Sequence, residues 1–150
     1  MGNYVKAVLY AYPSLGKMEE AYKIHIRNMA VLSYREDVPA VAMAGKIVGQ
    51  IAQKGKVVWL KGVIEKTIRR LSETDREIIV RVFRWDRKKK TQSADGELRK
   101  KYRRLSKKLL DKLGKNLENE GLSCEVFERY FSSMELFRYI DEKLNRKNKP

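Results

Sequence analysis

Apolar residues recur along this chain at steps of three and four, the period of one face of an α-helix. Tyr4, Val8, Leu9 and Tyr12 share a face of a short first helix, which Pro13-Ser14 is expected to break. Tyr22, Ile26, Met29 and either Ala30 or Leu32 mark a second helix over about 15–33. The connector "SYREDVP" follows, with Pro39 placed to open a third helix after Asp37 as a cap. The stripe of that helix is Val41, Ala44, Ile47, Val48 and Ile51. Gly55 is expected to separate it from a fourth helix, in which Leu60, Ile64, Ile68 and Leu71 recur.

"SETD" then places Ser72 as a cap, with Asp75 three residues on. Ile78, Ile79, Val82, Phe83 and Trp85 supply the buried side of the next element. "EIIVRVF" is rich in β-branched residues and suits a strand as well, but the cap favours a helix. Residues 86–96, "DRKKKTQSADG", hold no large aliphatic or aromatic side chain and predict a loop. Leu98, Tyr102, Leu105, Leu109, Leu113 and Leu117 then define the longest amphipathic helix, 97–117. Ser123 opens another, with Val126, Phe127, Tyr130 and Phe131. Ser132 to Glu135 forms an S-x-x-E capping box before a last helix carrying Leu136, Phe137, Ile140 and Leu144. "NRKNKP" is a tail. The fold class expected is all-α: a compact bundle of six to eight helices in one domain. Its parts are N-terminal helices over 1–57, a basic segment over 58–117, C-terminal helices over 121–145 and the tail 146–150.

Composition narrows the chemistry. With 43% hydrophobic residues the 150-residue chain can form a core, and with 35% charged residues it keeps an ionic surface. Cys124 stands alone, which excludes an internal disulfide and leaves a cysteine zinc site without ligands. The N-terminus lacks a signal-peptide pattern, and no apolar run approaches the ~20 residues of a membrane span. We expect a cytoplasmic protein that needs no membrane. His25 is the single histidine and lies beside the Tyr22–Ile26–Met29 face, the place of a core-edge residue. No phosphate-binding loop, H-E-x-x-H or G-x-S-x-G occurs. The expectation is a non-enzyme with no cofactor and no metal.

The charge is not spread evenly. The chain carries +15, and the stretch from Arg87 to Lys115 holds thirteen basic residues against Asp95, Glu97 and Asp111, a balance of +10. On helix 97–117, Lys100, Arg103, Arg104 and Lys107 fall within about 60° of the side opposite the leucine stripe. Lys108 and Lys115 continue that face, and Arg99 and Lys101 flank it. A helix held by one stripe and basic on the other can track phosphates or enter a groove. Solvated lysines covering the stripe are the plain alternative. The arginines favour nucleic acid, because their forked donors suit phosphates and guanine edges. The expected contact set is Arg87, Lys88, Lys89, Lys90, Arg99, Lys100, Arg103, Arg104, Lys107 and Lys108.

"WLKGVIEKTIRRLSETDREIIVRVFRW" resembles the start of bacterial sigma factor region 4: a helix ending at Leu71, a short turn, then Arg76 and "EII" opening a helix-turn-helix. The likeness spans about residues 59–113. It implies a transcription regulator in which "ELRKKYRRLSKKLLDKL" stands where the recognition helix would be. Lys100, Arg103, Arg104 and Lys107 would then contact DNA. The family's middle helix needs apolar residues that 86–96 do not supply, so the helix-turn-helix is degenerate. The leading expectation is therefore a DNA-binding, sigma-region-4-like regulator, with duplex DNA ahead of RNA as partner. One alternative is an RNA-binding or non-specific nucleic-acid-binding protein. Another is an adaptor for an acidic protein surface such as RNA polymerase. Oligomeric state is left open.

Overall fold

The computed structural model describes residues 3–32, 40–83, 85 and 96–148, with side chains left out at 3, 40, 96–106 and 145–148. Among the described residues all regular structure is helical: α1 (Asn3–Leu32), α2 (Ala40–Arg69), α3 (Glu73–Val82), α4 (Gly96–Asn119), α5 (Cys124–Tyr130) and α6 (Glu135–Asn148). The all-α expectation holds, with six helices. The start of the third predicted helix, Asp37 and Pro39, and the loop 86–95 lie outside the described residues.

Two predicted breaks are absent. Pro13 sits inside α1, which runs unbroken from Asn3 to Leu32. Proline has no N–H, so the carbonyl four residues back, that of Leu9, loses its usual donor. The indole Nε1 of Trp85 donates to the Leu9 carbonyl instead, at 2.7 Å. Gly55 likewise lies inside α2. A helical glycine costs about 1 kcal/mol relative to alanine but removes no hydrogen bond, so packing on either side carries the helix through.

By its contacts the chain divides into two compact units. One comprises Met1–Tyr12 and Val63–Pro150. The first turns of α1 are buried nearly all round, at Val5, Ala7, Val8, Leu9 and Ala11. A helix apolar on every side belongs in an interior. Tyr4 packs tilted against Phe127 at 5.9 Å, and Phe127 meets Phe137 edge-on at 5.0 Å. Tyr10 meets Phe83 edge-on at 4.8 Å, and Tyr12 packs on Trp85 at 4.4 Å. Tyr12 also donates its hydroxyl to Glu65 of α2 at 3.1 Å. Burial first, then the Glu65 hydrogen bond, pushes the Tyr12 phenol above its usual range. Burial also raises the Tyr4 phenol, helped by the negative charge of Glu118.

Serine caps start two of the helices. Ser72 accepts from the Asp75 N–H at 3.2 Å and so starts α3, as expected. That cap settles "EIIVRVF" as helix. Ser123 caps α5 by accepting from the Val126 N–H, also at 3.2 Å. The Ser132–Glu135 box does not form. Ser132 donates its hydroxyl to the Glu128 carbonyl in α5, and α6 starts at Glu135 with Ser132 two residues before the cap position.

The second unit is Pro13–Gly62, formed by the later part of α1 and the earlier part of α2. Lys61 pairs with Glu19 at 3.4 Å, and Leu15, Met29, Met43, Val57 and Leu60 are buried. The predicted α2 stripe is corrected here. Val41, Val48 and Ile51 are exposed, while Met43, Val57 and Leu60 form the buried side. Leu32 is exposed too, so Met29 carries the buried side of that part of α1. His25 is exposed on α1.

Candidate nucleic-acid interface

Helix α4 is the element that would carry a basic surface, and its residues divide cleanly by register. Leu109, Leu113 and Leu117, at four-residue steps, are buried. Each such side chain contributes about 1.5–3 kcal/mol by leaving water. Lys107, Lys108, Lys112 and Lys115 are exposed on the other side. No described residue forms an ion pair with any of the four among the bridges Lys61–Glu19, Arg70–Glu120 and Arg81–Glu77. Asp111 and Glu118 are exposed on the same side, so this half of the ridge is mixed in sign, with lysines in excess.

Three contacts fix α4 in place. A Cβ added to Gly114 would lie 3.5 Å from Val5 Cγ2, so α4 passes close to α1 at that point. Helix α3 also contacts α4. At its C-terminal end the chain turns through Gly121 at φ 102°, a left-handed conformation that suits glycine. The Leu122 N–H donates to the Leu117 carbonyl at 2.8 Å, and the Gly121 N–H donates to Glu118 at 3.0 Å. This pair of bonds is the Schellman motif, and the buried Leu117 and Leu122 are its apolar contact. Beside the turn, Arg70 Nη2 holds Glu120 Oε1 at 2.6 Å, tying the end of α2 to the end of α4.

The expected contact residues fare differently. Lys107 and Lys108 are on the exposed face. Arg99, Lys100, Arg103 and Arg104 belong to the helical backbone of α4 in its first half, ahead of the residues whose side chains are described. Arg87, Lys88, Lys89 and Lys90 lie outside the described residues, as does the segment where a middle helix of a helix-turn-helix would fall. Lys112 and Lys115 extend the exposed set one to two turns beyond the expected one. Its spacing already places Lys115 on this face, and the same spacing could have added Lys112.

No group of three or more metal-ligating side chains comes together among the described residues. Cys124 is a half-buried thiol at the start of α5, 3.9 Å from Glu128 Oε1. No helix among the described residues is long and apolar enough to cross a membrane. Against known proteins, the chain matches no family model, no curated protein and no solved structure.

Proposed function

We propose that the protein is a DNA-binding transcription regulator that contacts duplex DNA through the exposed side of α4 and the basic segment just before it. The observation that carries this reading is the balance of +10 between Arg87 and Lys115, on and beside a helix in which Leu109, Leu113 and Leu117 are buried. Polyanions attract such a surface chiefly through their phosphates. The arginines Arg99, Arg103 and Arg104 add donors able to fork onto phosphates or guanine edges. The likeness of residues 59–113 to sigma region 4 supports DNA over RNA within this reading, and the capped start of α3 at Ser72 agrees with it.

Binding of the full chain to matched duplex DNA, duplex RNA and single strands across a salt series tests the proposal. If about six phosphates are neutralised, log K should fall with log salt at a slope near −5. Replacing Lys88, Lys89 and Lys90 together should weaken all sequences alike and flatten the slope. Replacing Arg103 or Arg104 should relax preference at one base position by about 1–3 kcal/mol. Equal weakening of every duplex would leave a phosphate clamp without sequence readout. Absence of binding to DNA at low salt would end the proposal.

A further inference from the structure

Between Val41 and Trp59, α2 is apolar on two sides. One side holds the buried Met43, Val57 and Leu60. The other carries Val41, Val48, Ile51, Val58 and Trp59, with exposures from 41% at Trp59 to 87% at Val41. A surface helix normally turns charged or polar residues outward. Here the exposed residues from Val41 to Trp59 are those five, the small Ala42, Ala44, Gly45, Gly49, Ala52 and Gly55, and a single charged residue, Lys46. The five bulky residues alone expose on the order of 500 Å² per chain, the size of the largest apolar patches found on ordinary monomers. Two such faces would bury about 1,000 Å² together, where specific interfaces begin.

The glycines are a second, separate observation. Glycine inside a helix is disfavoured relative to alanine, because more backbone freedom is lost. Yet a Cβ at Gly45, Gly55 or Gly62 would meet nothing within 4 Å. The chain itself therefore makes no steric demand for glycine at these positions. A backbone approaching from outside would make one.

We propose that this face of α2 pairs with the same face of a second copy, antiparallel, about a two-fold axis between Ile51 and Ala52. The order of residues selects this register. About that midpoint Val41 faces Gly62, Ala44 faces Trp59, Gly45 faces Val58, Val48 faces Gly55 and Ile51 faces Ala52 of the second copy. Each bulky residue meets a small one, as interdigitation requires. The same register sets Lys46, Lys54, Lys56 and Lys61 opposite Val57, Gly49, Ile47 and Ala42, so no lysine opposes a lysine. That matters in a chain of net charge +15. A two-fold pairing also uses one patch on both copies, as isologous dimers do. The inference does not depend on what α4 binds.

Sedimentation of the full chain over a concentration series tests it. The expected result is a species of twice the 17.6 kDa chain mass. Ile51→Glu should abolish that species over the same concentrations, by setting two carboxylates against each other at the axis. Gly55→Leu should abolish it as well while leaving helix content by circular dichroism unchanged, since the site is open within the chain. Disulfide trapping in a Cys124→Ser background reads the register without relying on those variants folding. Val48→Cys with Gly55→Cys should cross-link two copies. Val48→Cys alone should not, because antiparallel copies of position 48 stand about 10 Å apart along the axis, beyond the ~7 Å reach of a disulfide. A chain that stays monomeric, a dimer that survives both Ile51→Glu and Gly55→Leu, or cross-linking by Val48→Cys alone would each overturn the proposal. So would association only with a different protein through this face.

Discussion

Trp85 donates its indole N–H to the carbonyl of Leu9 at 2.7 Å, and this is the carbonyl that Pro13 leaves without its helical donor. The ring of Trp85 also packs on Tyr12 at 4.4 Å. One side chain thus offsets a missing backbone hydrogen bond and fills space beside it. Trp85→Phe keeps a ring but not the donor, and should cost about 1–3 kcal/mol, the penalty of a buried acceptor left unpaired. In a Pro13→Ala background the restored N–H can reach Leu9, so the same substitution should cost less. Urea denaturation of the four variants in a double-mutant cycle measures the difference. Equal costs in both backgrounds would show that the indole bond does not compensate for the proline.

Gly121 should resist substitution more than any other glycine in the C-terminal half. At φ 102° an alanine clashes with its own backbone. Gly121→Ala should destabilise by about 1–2 kcal/mol, and Gly121→Asn by less, since asparagine tolerates this region better. Gly114→Ala is the comparison, because its added Cβ meets Val5 Cγ2 at an ordinary 3.5 Å. Thermal melts that rank Gly114→Ala as the worse change would contradict the Schellman ending of α4.

The two faces of α4 should respond differently to truncation. Leu113 is fully buried, so Leu113→Ala should cost roughly 2–5 kcal/mol. Lys107 is exposed, and Lys107→Ala should change stability by about 0.5 kcal/mol or less. Comparable losses by chemical denaturation would mean that the faces are wrongly assigned.

Alkaline pH should weaken the first unit through Tyr12 and Tyr4. Both phenols are raised above the ordinary value of 10.0, chiefly by burial. Above that value the unfolded chain loses these protons while the folded chain keeps them. Stability from this source is therefore complete below pH 10 and falls as the pH rises towards the raised folded values. Tyrosine absorbance should show some phenols titrating late in the folded chain. Tyr12→Phe, which cannot ionise, should flatten the decline in unfolding free energy. An unchanged decline in Tyr12→Phe would remove Tyr12 from this account.

Local chemistry was legible in the sequence because its partners are a few residues apart. Ser72 and Asp75, and Ser123 and Val126, make their caps within single turns. Leu109, Leu113 and Leu117 declare a buried face by spacing alone, and with it the exposed Lys107 and Lys108. The all-helical class follows from the same period. Other features depended on groups brought together from afar. Pro13 reads as a break until Trp85, 76 residues from Leu9, supplies the lost donor. Ser132 could have capped α6, but that helix starts at Glu135, two residues beyond the position Ser132 would cap, and the Ser132 hydroxyl bonds the Glu128 carbonyl of α5. The burial pattern of α2 is the clearest case. Val41, Val48 and Ile51 form as good a stripe as Met43, Val57 and Leu60, and a helix apolar on both sides carries no period that ranks one above the other. Only packing within the unit that α2 shares with the later part of α1 decided which side went in, because burial is a property of what lies opposite a residue.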